Sequence, residues 1–132
     1  MKSQTTAFLD AADQSLADAQ AIMSVKVPRQ AARLAYYAQF HAAQAVIFER
    51  ATKIAKTHKG VNAEFHKIIK TEPAFDPQLA AELTVAYHYK EIADYDTGRI
   101  SPITTADAAD AMLTAQRFVT AIRRILIPVI GG

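Results

Sequence analysis

The stretch from Pro28 to Lys56, PRQAARLAYYAQFHAAQAVIFERATKIAK, runs for 29 residues without a glycine or an interior proline. Its apolar residues return at intervals of three and four, as in the line Tyr36, Phe40, Ala43 and Ile47, which is the period of an α-helix and not of a strand. Pro28 suits the first helical position, where its missing N–H would have no partner in any case. The pattern predicts one helix from Pro28 to about Lys56, roughly 40 Å long at 1.5 Å per residue. It is the longest element of the chain.

Outward from this stretch the same period recurs. Leu9, Ala12, Leu16, Ala19 and Met23 make one stripe of a first helix, Ser3 to Ser24, with Asp10, Asp13 and Asp18 on its wet side and Val25 to Pro28 as the turn. After the long helix, Gly60 offers a left-handed closing residue, and Asn62 a cap for a short third helix carrying Phe65, Ile68 and Ile69 and stopping before Pro73. Asp76-Pro77 opens a fourth, to about Asp94, with Leu79, Leu83, Ala86 and Tyr87 inward. Asp96 to Pro102 reads as a loop. Thr104 with Asp107 resembles a capping box, and a fifth helix follows through Ala109, Leu113, Gln116, Val119, Ile122 and Leu126 to Pro128. Short links between long helices imply antiparallel neighbours, so the expected fold is all-α, a single up-and-down bundle of about five helices over residues 1–132.

Composition agrees and sets exclusions. Among 132 residues, 27 are alanine and only four glycine, which favours helix over sheet. The absence of cysteine excludes disulfides and thiolate zinc sites. No apolar run approaches the roughly 20 residues of a membrane span, and the start of the chain, interrupted by Asp10 and Asp13, lacks the core of a signal peptide. A cytoplasmic protein is the expectation.

Charge is unevenly placed. Arg50 to Lys70 holds six basic residues against Glu64 alone, and Thr71 to Asp96 holds six acidic residues against Lys90 alone. Such a split can mark an anionic-ligand site, although cations near a helix end and on exposed faces are also ordinary.

Two constellations could carry chemistry. Arg33, Tyr37, His41 and Gln44 fall at spacings of four, four and three and so share a helix face, where a guanidinium fork and a phenol plane could clasp a phosphate or a base. Thr57-His58-Lys59-Gly60 combines an imidazole, a cation and an approachable backbone, suited to binding or cleaving a phosphodiester, or else a plain helix terminus. His66 and His88 complete no zinc spacing, so neither a metal nor any other cofactor is expected. Asp94 and Asp96 around Tyr95 read by themselves as turn chemistry.

Tyr36-Tyr37-Ala38, Phe40-His41-Ala42-Ala43, Thr57-His58-Lys59-Gly60-Val61 with Phe65, Ala93-Asp94-Tyr95 and Phe118-Val119, taken in order, resemble the HEPN domain family (higher eukaryotes and prokaryotes nucleotide-binding), and more narrowly its small single-domain prokaryotic branch. The resemblance implies an up-and-down bundle that commonly dimerises, often encoded beside a minimal nucleotidyltransferase in a toxin–antitoxin-like pair, and it adds Asp94 and Tyr95 to the candidate site. Many members are metal-independent ribonucleases with an Arg separated from a His by four to six residues. Here Arg33 precedes His41, and Arg50 precedes His58, with seven residues between in each case.

Three readings follow. The first is a HEPN-type homodimer binding a nucleotide or RNA phosphate through Arg33, Tyr37, His41, His58, Lys59, Asp94 and Tyr95, with a nucleotidyltransferase partner. The second is a metal-independent endoribonuclease using His41 or His58 with Arg33 or Arg50. The third is a bundle that docks a protein partner, with the apolar tail Ile125 to Ile130 packed on the bundle or at a dimer seam.

Overall fold

The computed structural model describes residues 1–95 and 103–127, where the regular structure is helical throughout: α1 (Ser3–Ser24), α2 (Pro28–Ala51), α3 (His58–Thr71), α4 (Gln78–Asp94) and α5 (Thr105–Leu126). The expected loop from Asp96 to Pro102 and the tail beyond Ile127 lie outside the described residues.

The long central helix organises the rest: α2 packs against each of the other four. Its composition makes this feasible. Ala31, Ala32, Ala35, Ala38, Ala42, Ala43 and Ala45 are all buried, and such small side chains on several faces let neighbouring helices approach closely, while Tyr36, Phe40, Val46 and Ile47 fill the space between. Leu9, Phe65, Phe75, Leu83, Phe118 and Ile122 complete one continuous core, with the rings of Phe65 and Phe118 joining α3 to α5 at 5.7 Å. Each large apolar side chain so buried is worth about 1.5–3 kcal/mol.

The bounds of α1 are those expected, as is its buried line Leu9, Ala12 and Ala19. Asp76 Oδ1 accepts the Gln78 amide at 2.9 Å to open α4. The capping box of α5 is complete: Asp107 N donates to Thr104 Oγ1, and Thr104 N to Asp107 Oδ2, both at 3.0 Å. Arg123 on α5 reaches across to Asp13 and to the Leu9 carbonyl of α1.

Three details differ from the sequence expectation. α2 stops at Ala51 instead of Lys56, because Thr52 takes a left-handed conformation at φ 51° and the Lys2 ammonium, on a distant part of the chain, closes the helix end. Its Nζ donates to the Phe48 and Glu49 carbonyls at 3.3 and 2.9 Å and to Thr52 Oγ1 at 2.8 Å. Gly60 therefore does not close α2. It lies in the first turn of α3, which begins at His58, and the cap is Thr57, whose Oγ1 accepts the Gly60 amide at 3.0 Å; Asn62 is already inside the helix. Finally, Ala109, Leu113 and Gln116 of α5 face outward. The buried line is Ala108, Met112, Ala115 and Phe118, one residue away from the expected one, and it joins the expected Val119, Ile122 and Leu126.

Candidate functional site

The shift in the start of α3 changes what Thr57-His58-Lys59-Gly60 is. A helix start leaves its first amides without an intrahelical acceptor and carries the positive end of the helix dipole, so it favours an anion where a helix end would repel one. Thr57 satisfies Gly60, and its carbonyl takes the Val61 amide at 2.9 Å; the amides of His58 and Lys59 stand at the two positions before these. The Lys59 side chain is exposed in this first turn.

His58, the first residue of α3, is fixed by two tyrosines. Its Nδ1 lies 2.8 Å from the Tyr36 hydroxyl of α2, and its ring stacks on Tyr87 of α4 with centroids 3.5 Å apart and planes 6° from parallel. Burial pushes the Tyr36 phenol well above its usual range, with Tyr37 and Tyr87 adding to the effect. Tyr36 therefore keeps its proton, and its hydroxyl shares one hydrogen bond with Nδ1. Burial also lowers the His58 pKa below its usual value; Lys90 acts in the same sense and Glu91 against it. At neutral pH the ring is uncharged.

On α4, Tyr87, Lys90, Glu91 and Asp94 are three, four and seven residues apart and share one face. A hydrogen bond to Glu91, with smaller help from burial, holds the Tyr87 phenol above its usual range. Lys90 Nζ lies 2.7 Å from Asp94 Oδ2 and 5.7 Å from the Tyr87 ring centroid. Asp94 also takes Arg33 Nε of α2, at 2.9 Å, while the rest of that guanidinium donates to Gln30 Oε1 at 2.6 Å and the Ala93 carbonyl at 3.3 Å. The Lys90 bond, more than Arg33, holds the Asp94 carboxyl below its usual range.

The structure thus brings Arg33 and Asp94 together, and places both at one end of a ring cluster formed by Tyr36, Tyr37, Phe40, His41, His58 and Tyr87. Tyr36 and Tyr37 are edge to face at 5.2 Å, and the half-buried rings of Tyr37 and His41 lie 6.4 Å apart. Tyr95 follows α4 at 80% exposure. Neither expected Arg–His pair is assembled. Arg33 turns to Asp94 and His41 to Gln44, with Nδ1 2.8 Å from Oε1. Arg50 is held by Glu72 at 2.9 Å and lies over Phe75; it sits 14 residues beyond Tyr36, about 21 Å along the helix, whereas His58 is fastened to Tyr36 itself.

Sequence reasoning placed Tyr36 and Tyr87 in the core and gave no role to Lys90 or Glu91. The signal was present in the Lys90–Asp94 and Tyr87–Glu91 spacings of four on the helix that carries Asp94. The basic stretch is partly neutralised, since Lys53 reaches Glu64 at 3.0 Å and Arg50 reaches Glu72. Among the described residues no three His, Asp or Glu side chains converge as metal ligands would, and no helix is long and apolar enough to cross a membrane.

The five-helix bundle and the ordered motifs have a counterpart among known proteins: the model of the HEPN domain matches residues 5–125. The chain belongs to the HEPN domain family. It is also similar to a protein of Methanocaldococcus jannaschii named "Putative toxin MJ0605", 27% identical over 126 residues that cover 96% of this chain and 91% of the relative. The family match takes in the whole ring cluster, from Arg33 on α2 to Asp94 on α4.

Proposed function

We propose that this HEPN domain binds the phosphate of a nucleotide or of RNA at the first turn of α3, with the base against the neighbouring rings. The observation that supports it most is the Thr57-capped helix start, which puts two amides and Lys59 beside His58 at the edge of the aromatic cluster. The half-buried rings of Tyr37 and His41 offer a sequence-tolerant stacking surface. Arg33 contributes from its clasp with Asp94, and Tyr95 from the exposed end of α4. The domain acts as a homodimer with a nucleotidyltransferase partner in a toxin–antitoxin-like pair. The name of the archaeal relative supports the toxin role.

The test is a fluorescent single-stranded RNA titrated with protein in EDTA, read by anisotropy and on a gel. Intact RNA should be bound, more weakly by His58→Ala and Lys59→Ala, with Lys59→Ala lowering the salt slope by about one. Unchanged affinity removes these residues from the site. Cleavage that disappears in His41→Ala or His58→Ala replaces this reading with the ribonuclease one.

A further inference from the structure

His41 has one ring nitrogen engaged, and what engages it is itself held. Gln44, a turn further along α2, is 6% exposed. Its Nε2 lies 2.8 Å from the Ala55 carbonyl in the α2–α3 connection, and its Oε1 lies 2.8 Å from His41 Nδ1. A carbonyl oxygen has no hydrogen to give, so the Gln44 atom facing Ala55 is the NH2 donor, and this decides that the amide oxygen faces the imidazole. That oxygen in turn can only accept, so Nδ1 carries the ring proton. A neutral imidazole has one such proton, and Nε2 is left with a bare lone pair.

We infer that Gln44 is a positioning residue that sets the tautomer of His41, so that Nε2 is presented as a hydrogen-bond acceptor to an O–H or N–H of the bound ligand, such as a ribose hydroxyl. An unconstrained histidine in water favours the opposite tautomer, with the proton on Nε2, and would offer a donor there. The relay from the Ala55 carbonyl through the buried amide reverses that preference. It has the form by which a histidine is oriented through its other nitrogen in many sites. The ligand half of this inference rests on the proposed function; the tautomer half does not.

Long-range proton–nitrogen correlation spectra of the imidazoles in mildly alkaline solution test it, using the full chain. In the wild type His41 should show a protonated Nδ1 and an unprotonated Nε2; the reverse overturns the inference without any variant. Gln44→Met and Gln44→Glu then separate positioning from packing. Both lose the bond to Ala55, but Glu still accepts from Nδ1 and Met does not. Gln44→Glu should keep the Nδ1 proton and Gln44→Met should move it to Nε2, whereas a merely structural Gln44 would make the two variants alike. Adenosine monophosphate is the ligand probe. It should shift the Nε2 resonance in the wild type and bind Gln44→Met about fivefold more weakly, the size of one neutral hydrogen bond. A wild-type His41 in the expected tautomer whose Nε2 ignores the nucleotide upholds the role of Gln44 and overturns the ligand reading alone.

Discussion

The His58 imidazole lies flat on the Tyr87 ring, 3.5 Å away, and so fastens the first residue of α3 to the middle of α4. With Tyr36 of α2 bound to the same imidazole, one side chain joins three helices at the point where the first turn of α3 faces outward. This fastening holds the start of α3 against α2 and α4.

Tyr36→Phe keeps the ring contacts with Tyr37, Phe40 and Tyr87 but removes the hydroxyl that reaches His58 Nδ1. The loss should be about 1 kcal/mol, that of one hydrogen bond whose partner is left part-buried. Urea denaturation measures it. A change near zero would mean that the stack with Tyr87 alone positions His58.

The pH dependence follows from the sign of the His58 shift. Its folded pKa lies below the ordinary value of about 6.5, because burial disfavours the charged ring, so between the two values the unfolded chain binds more protons than the folded one. Stability is therefore fully present above about pH 6.5 and falls as the pH drops from there toward the folded pKa. Glu49 and Asp94, both lowered, add their own losses only in the more acidic carboxylate range. In His58→Gln the decline between pH 7 and pH 5.5 should flatten, as followed by urea midpoints. An undiminished decline would assign it to another group.

How far the sequence carried depends on whether a feature is local. The capping box of Thr104 and Asp107 lies within four consecutive residues, and it forms as the sequence predicts. The end of α2 needs Lys2, some fifty positions away, since Thr52 to Lys56 contains no glycine or proline and has ordinary helix formers. Periodicity cannot see a stop imposed from another part of the chain. The site is affected in the same way: a helix running to Lys56 makes Thr57 to Gly60 a helix end, whereas the structure makes them a helix start. Tyr36 fell on an apolar line and was read as core, which its 2% exposure supports; its hydroxyl found His58 only through the placement of α3. Residues along one helix were legible, and pairings between helices were not.

The tertiary stop gives a prediction of its own. Lys2→Met leaves the Phe48 and Glu49 carbonyls and Thr52 Oγ1 without the ammonium that gathers them. These groups are exposed, so the cost should be no more than about 1 kcal/mol. The local effect is the sharper one. Amide hydrogen exchange should speed up around Thr52, whose N–H closes on the Phe48 carbonyl at 2.9 Å, and stay unchanged in α4. Unaltered exchange there would show that the left-handed turn at Thr52 holds without Lys2.

Asp94→Asn tests whether the carboxylate at the end of α4 serves the ligand or restrains it. Asp94 binds two cations, Arg33 at 2.9 Å and Lys90 at 2.7 Å, all three side chains being 22–31% exposed. Pairs this exposed contribute about 1 kcal/mol or less, so the variant should fold. The charges of Arg33 and Lys90 would then face phosphate without the carboxylate that offsets them, and affinity for a single-stranded RNA should rise while the salt slope steepens by up to about two. That outcome makes Asp94 a brake on binding at the ring cluster. Weaker binding with an unchanged slope would instead mean that the carboxylate places Arg33 for the ligand, because losing its placement reduces affinity without adding a phosphate contact. Salt titrations of the wild type and the variant distinguish the two by the sign of the affinity change.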